Sequence, residues 1–226
     1  MTESTATDQP GDQTPLRDTR PIVVFGGSFD PPHCRHVVVA QGAVALTRCK
    51  RLLIVPAFTN PQRNAPQASV QDRLAMCTLA FASLPDATVS SVEVDQGKPC
   101  FTVDTLERLH AQQAAGELPS GPFRLLMGSD QALNFRSWKD WERLATLAEP
   151  AVVLRPPHAE WEWKTLLLRA WDDAWTQRWL SWTLPIDPVD VASTDVRRRV
   201  AAGESIADLV PHSVAAYIAA RGLYRG

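Results

Sequence analysis

The chain has 226 residues, 45% of them hydrophobic, which suits one good-sized domain with a proper core. Its formal net charge of −2 excludes a chain-wide electrostatic signal for nucleic acid or for a membrane surface, so any charge that holds an anion must be local. Four scattered cysteines without a C-x-x-C pair speak against a zinc site or a disulfide framework, and no run is apolar enough for a membrane span or a signal-peptide core; a cytoplasmic protein is expected.

Residues 1–20 are polar, rich in Thr, Asp, Gln and Pro, and read as a disordered tail ahead of a single domain over 21–226. Ile22-Val23-Val24-Phe25 reads as a buried strand. Gly26-Gly27-Ser28-Phe29-Asp30-Pro31-Pro32-His33-Cys34-Arg35-His36 follows, and Val37 starts a longer apolar segment, so this stretch is a strand-to-helix turn. Gly26 and Gly27 are expected to turn the backbone sharply and bring it near a ligand, Asp30 to cap the helix, and Pro31 or Pro32 to sit in its first turn. The helix start offers free N–H groups and a positive dipole end to an anion, and His33 and His36, three apart, share the face beside it. Two imidazoles over an anion suit a phosphate whose charge grows during reaction. Taken singly, the glycine turn and the histidine pair fit an ordinary surface turn and helix as well.

Residues 51–56 read as a second strand ended by proline. An irregular loop over 57–69 follows, with Arg63 its only charge, either a phosphate contact or a solvated arginine. Helical spacing covers 70–84, strand-like alternation covers 89–94, and a helix opens over 101–106 with Thr102 a plausible cap. Residues 123–127 form a strand ending in Gly128-Ser129-Asp130, where Asp130 suits a ribose diol or a helix cap. Trp138 and Trp141 flank Lys139 and Asp140; a tryptophan here is either core or a stacking platform for a flat heterocycle. A fifth strand over 151–154 ends at Arg155. Six of the eight tryptophans lie between Trp161 and Trp182, and Trp171, Trp175, Trp179 and Trp182 fall on one helical stripe. Packing on the sheet or a subunit contact accounts for the stripe better than a ligand does; the oligomeric state stays open. After a last strand over 184–186, Ser193 or Thr194 caps a helix with Arg197 one turn in. That combination suits a polyphosphate tail, or simply a capped helix with a basic face. Short helices over 206–210 and 214–220 end the chain. Strands alternating with helices predict an α/β protein, a Rossmann-like open, mostly parallel sheet with helices on both faces and its sites at strand ends.

The opening stretch matches the signature G-G-[ST]-F-D-P-x-H-x-G-H at every position but one, Arg35 standing in place of glycine, and so resembles the nucleotidyltransferase superfamily that carries it. Further likeness runs through Thr102-Val103-Asp104-Thr105-Leu106, Gly128-Ser129-Asp130, Phe135-Arg136-Ser137-Trp138, Arg155-Pro156, the S-T-x-x-R from Ser193 to Arg197, and the ending around Gly203, Pro211, Tyr217 and Tyr224. Over nearly all of 21–226 the chain looks like the bacterial nicotinate-nucleotide adenylyltransferases. That resemblance implies attack of a nicotinate mononucleotide phosphate on the α-phosphorus of ATP, with Mg²⁺ arriving on ATP and no metal site of the protein's own. By the same resemblance His33, His36 and Arg197 are catalytic, the histidines on the ATP phosphates and Arg197 with Ser193 and Thr194 on the leaving pyrophosphate. Gly26, Gly27, Ser28 and Phe29 would hold phosphates through their N–H groups, and Asp130 a ribose. Nicotinate mononucleotide would meet Trp138 as a ring platform, main-chain groups near Thr102, Val103 and Lys139 for its carboxylate, and Arg155.

Two departures bear on this. Asn60-Pro61-Gln62-Arg63 stands where P-P-H-K is usual. Arg35 would either fill the space in which adenine and its sugar lie against the helix, or swing out and add a phosphate contact. A catalytically impaired nucleotide-binding homologue, or an enzyme using another acceptor such as nicotinamide mononucleotide, are the alternatives these departures leave.

Overall fold

The computed structural model describes residues 18–59, 65–158, 160–187 and 190–225; most of the expected tail, and Arg63 with its immediate neighbours, lie outside them. Six strands, β1 (Ile22–Gly27), β2 (Arg51–Pro56), β3 (Ala87–Val89), β4 (Phe123–Gly128), β5 (Glu149–Val153) and β6 (Thr183–Leu184), pair in the order β3-β2-β1-β4-β5-β6. Every pairing is parallel. The helices are α1 (Cys34–Thr47), α2 (Val70–Ala80), α3 (Thr102–Ala114), α4 (Ser129–Leu133), α5 (Trp141–Leu147), α6 (Glu160–Ala170), α7 (Asp173–Ser181), α8 (Ser193–Ala201) and α9 (His212–Arg221).

A parallel sheet needs both faces covered, and its strands therefore read as continuous apolar runs. Alternate residues go to opposite sides. Val23, Phe25, Leu52 and Ile54 join a core with Ala40, Met76, Val196, Val214 and Ile218 from α1, α2, α8 and α9. Ile22, Val24, Leu53 and Val55 join a second with Leu106, Leu144, Leu167 and Trp179 from α3, α5, α6 and α7. The strand order reverses between β1 and β4, which leaves a crevice beyond their carboxyl ends. Both the glycine stretch after β1 and Gly128-Ser129-Asp130 after β4 open into it.

Four expected elements differ. The strand expected over 89–94 is β3, ending at Val89. It sits at the sheet edge beside β2, and the chain then turns through a 3-10 segment, Val94–Gln96. The expected last strand starts one residue earlier and ends two earlier, because Thr183 and Leu184 are the residues in register with Val152 and Val153. Residues 206–210 form a turn instead of a helix, and the Leu209 carbonyl there accepts from Cys34 N at 2.9 Å, tying the turn to the start of α1. The tryptophan stripe is broken between two helices: Trp171 follows α6, and Asp172 caps α7 by accepting from Trp175 N at 2.9 Å. The stripe is nevertheless packing. Trp179 stacks within 5.2 Å of both Trp171 and Trp182 and within 5.4 Å of Phe135. Trp161, 81% exposed, stays outside that cluster. No helix among the described residues is long and apolar enough to cross a membrane.

Candidate active site

The turn after β1 is made differently from expectation. Gly26 and Gly27 stay in register with Val55 and Pro56, and the left-handed residue is Phe29, with φ 47°. A non-glycine residue there costs about 1–2 kcal/mol. The Phe29 ring offsets this by burial, edge-on to Phe25 at 5.4 Å and Phe81 at 6.0 Å. A Cβ on Gly27 would press on that ring at 3.2 Å, so the glycine serves the packing of Phe29.

Asp30 does not cap α1, whose N-cap is His33, and both prolines precede the helix. Instead the buried Asp30 carboxylate accepts from Gln67 N (2.8 Å), Ala68 N (3.0 Å) and Tyr224 Oη (2.8 Å). Arg197 reaches the same residue from α8, donating to the Asp30 carbonyl at 2.6 Å and lying 3.7 Å from its carboxylate. Ser193 is likewise not a cap, since Ala192 holds that position; its Oγ donates to the Pro31 carbonyl at 2.9 Å. The S-T-x-x-R helix is thus clamped onto the backbone of the opening motif. Thr194 is exposed at the same helix start.

His33 and His36 stack, ring centroids 3.8 Å apart. His33 N donates to His36 Nδ1 at 3.2 Å, so the neutral His36 ring carries its proton on Nε2. Burial and then the nearby Arg35 and Arg155 charges push His33 down to about 3. His36 is held well below its usual value by burial, then by His33, Arg155 and Arg35. Both rings are therefore neutral donors near pH 7. Arg35 is only 8% exposed and lies in the same charge group as the histidines, Arg155 and Asp130. Its guanidinium has no ion pair among the described residues, so it is folded into the site.

Gly128 is where glycine is sterically needed. A Cβ would fall 2.5 Å from both Arg155 Cδ and Asp130 Oδ1. Arg155 pairs with Asp130 at 3.4 Å, and its own N–H donates to the buried Ser129 Oγ at 3.0 Å. Asp130 therefore meets a guanidinium and makes no cap. Among the described residues no group of three or more His, Cys, Asp or Glu gathers to hold a metal.

Beside this cluster opens a cleft of about 280 Å³, lined by Gly26, Gly27, Ser28 and Asp130 and by Phe101, Thr102, Trp138 and Lys139. Thr102 follows the N-cap Phe101 and is not itself the cap. Val103 is core, so only its main chain can serve a ligand. Lys139 pairs with Asp104 at 3.0 Å and lies over the Phe101 ring at 4.9 Å. The sequence-predicted residues thus separate into a charged cluster and a cleft. Arg155, expected with the acceptor, stands with the cluster.

Three residues escaped sequence reasoning. Arg73 on α2 is 1% exposed and donates to the carbonyls of Ser28 (2.8 Å), Ala57 (2.7 Å) and Phe58 (2.9 Å), fixing the turn after β1 to the end of β2. Glu93 and Thr105 line the cleft. A lone acid in a supposed strand, an arginine amid helical apolar spacing and the place of Thr105 in the Thr102–Leu106 segment were the only signals.

Residues 24–199 match the cytidylyltransferase-like family. The Bordetella petrii protein named "Probable nicotinate-nucleotide adenylyltransferase" is 37% identical over 207 residues, 90% of this chain and 98% of that one. A namesake from Gemmatimonas aurantiaca is 38% identical over 89% of this chain and 91% of its own. The chain belongs to the nicotinate-nucleotide adenylyltransferase family. A solved structure of Plasmodium falciparum nicotinic acid mononucleotide adenylyltransferase complexed with NaAD superposes with a TM-score of 0.68, covering 91% of this chain and 97% of that one at 17% identity, which shares the adenylyltransferase fold.

Proposed function

We infer that the protein joins nicotinate mononucleotide to ATP, giving deamido-NAD and pyrophosphate. One observation carries this beyond family membership. Ser193 and Arg197, some 160 residues from the opening motif in sequence, are clamped onto its Asp30–Pro31 backbone, beside the stacked histidines and at the mouth of a cleft holding Trp138. Such a site can hold a triphosphate at one end and a flat ring at the other.

In the step itself a phosphate oxygen of the acceptor forms a bond to the α-phosphorus, and the bond from that phosphorus to the bridging oxygen breaks. The electron pair leaves with pyrophosphate. No residue need be covalently modified, so catalysis is alignment plus charge stabilisation. His33 and His36 donate hydrogen bonds to the phosphoryl oxygens as charge builds there. N–H groups of Gly27, Ser28 and Phe29 and of the α8 start, with Thr194, line the phosphate path. Arg197 takes the pyrophosphate charge, and Asp130 a ribose hydroxyl once Arg155 turns to the phosphates. Mg²⁺ would enter with ATP and help neutralise the charge on the leaving pyrophosphate, which Arg197, Ser193 and Thr194 would hold. We place the protein in the cytoplasm, where ATP and pyridine mononucleotides are at hand.

The test is pyrophosphate release from Mg-ATP with nicotinate mononucleotide, on the native chain and on Arg35→Gly together. Turnover by the native chain is the expected outcome. The buried Arg35 supports one other reading, a nucleotide-binding homologue whose site this side chain closes; turnover by the glycine variant alone would establish that reading instead.

A further inference from the structure

We propose that Glu93 is a specificity-determining residue: its carboxyl, fixed by Thr105 in the wall of the cleft, reads whether the acceptor's ring carries an acid or an amide. This rests on the reading that a pyridine mononucleotide seats its ring in that cleft.

Glu93 stands just before the 3-10 turn and lines the same cleft as Phe101, Thr102 and Trp138. The buried Thr105 hydroxyl donates to Glu93 Oε1 at 2.7 Å, and Phe58 N–H donates to the same carboxyl. Two donors leave part of a carboxyl's capacity free. No salt bridge to Glu93 forms among the described residues. From α2, Arg73 acts on it at a distance, but that guanidinium is committed to three carbonyls. Cys100, from the segment before α3, adds no charge, because burial pushes its thiol up and keeps it neutral. On the remaining walls Asp130 is paired with Arg155, and Lys139 with Asp104. Burial therefore dominates at Glu93 and pushes it up to about 7, against the hydrogen bonds and Arg73.

Two acceptor rings that differ only in a carboxylate or a carboxamide meet this group differently. Protonated Glu93 can donate to the carboxylate. Ionised Glu93 repels it and accepts from the carboxamide N–H instead. The preference for acid over amide should then fall as pH rises through the titration of Glu93. Both acceptors carry the same phosphate and meet the same histidines, so those titrations cancel in the ratio of their kcat/KM values.

The experiment measures that ratio for nicotinate and nicotinamide mononucleotide from about pH 6 to about pH 9, on the native protein and on Glu93→Gln. In the native protein the acid-over-amide ratio should fall by roughly tenfold, as expected for one charge contact inside a protein. In Glu93→Gln it should stay near the native low-pH value throughout, because the neutral side-chain amide can still donate. Calorimetry in buffers of different ionisation enthalpy supplies a reading independent of turnover: above neutral pH, nicotinate mononucleotide should bind with proton uptake, and neither the amide acceptor nor the variant should show it. Turnover with a pH-independent native ratio, or a variant that follows the native curve, overturns the inference alone. Failure to bind or turn over either mononucleotide overturns the underlying reading and this one with it.

Discussion

At one end of the site, three guanidinium groups, two stacked imidazoles and two carboxylates crowd the starts of α1, α4 and α8, with Asp30 and Arg35 buried and the Arg155–Asp130 pair half-exposed. At the other, a ring-sized cleft is lined by Phe101, Trp138 and aliphatic groups together with neutral polar ones such as Gln131 and Asn134, with one carboxyl of shifted acidity and a Lys139–Asp104 pair. In the proposed reaction the changing charge falls at the first end, and only a flat ring with one substituent at the second. Dense charge costs stability, and there it would serve catalysis. The cleft costs little and, as proposed, sorts acceptors. Substitutions at the two ends should therefore fail in different ways.

The largest effect belongs to Asp30. Asp30→Ala leaves the Tyr224 hydroxyl and two backbone N–H groups without their acceptor and takes the nearby carboxylate charge from Arg197, whose hydrogen bond to the Asp30 carbonyl remains. A loss of about 3–5 kcal/mol in denaturant unfolding is expected. A loss under ~1 kcal/mol would mean the charged end is not held together through this residue. Next, His36→Ala should lower kcat by about 10²–10³-fold with the acceptor KM nearly unchanged. A change confined to acceptor KM would erase the distinction between the two ends.

A pH effect of similar origin comes third. His33 is held at about 3, below its ordinary value of 6.5. The unfolded chain takes up its proton first, so stability is fully present above about 6.5 and is lost as pH falls toward 3, by about 3 kcal/mol near pH 4. Glu93 works the opposite way. Raised from 4.5 to about 7, it contributes stability below the lower value that is lost as pH rises through the higher one. Relative to the native protein, Glu93→Gln should therefore show a steeper rise in stability between about pH 4.5 and about pH 7. Unfolding midpoints across that range decide both. The smallest effect is at the ring end: Trp138→Ala should raise acceptor KM by roughly tenfold, with kcat and ATP KM little changed, as expected for one lost stacking platform. An equal fall in kcat would place Trp138 in the chemistry and blur the comparison.

Much of the frame was legible in the amino-acid order. Apolar runs such as Leu52-Leu53-Ile54-Val55 and the periodic helices are local signals, and the two histidines announce themselves by a spacing of three. The segment starting at Ser193 likewise stood out, since hydroxyls and an arginine one turn on are a local pattern. The identity of the left-handed residue was not legible: glycine is the usual candidate, but Phe29 takes the turn because its ring has two aromatic partners in the core. Nor could spacing reveal that Asp30 would be a hub, for its partners Ala68, Arg197 and Tyr224 lie 38, 167 and 194 residues away. Glu93 and Arg73 belong to the same class. A carboxyl acquires an unusual acidity, and a guanidinium finds three carbonyls, only when folding removes water and brings remote backbone alongside. Periodicity and motif spacing, which act over a few residues, determined the sheet, its helices and the strand-end loops proposed to bind phosphate. Desolvation and long-range contact, which exist only in the folded chain, decided which acids and arginines those ends would use.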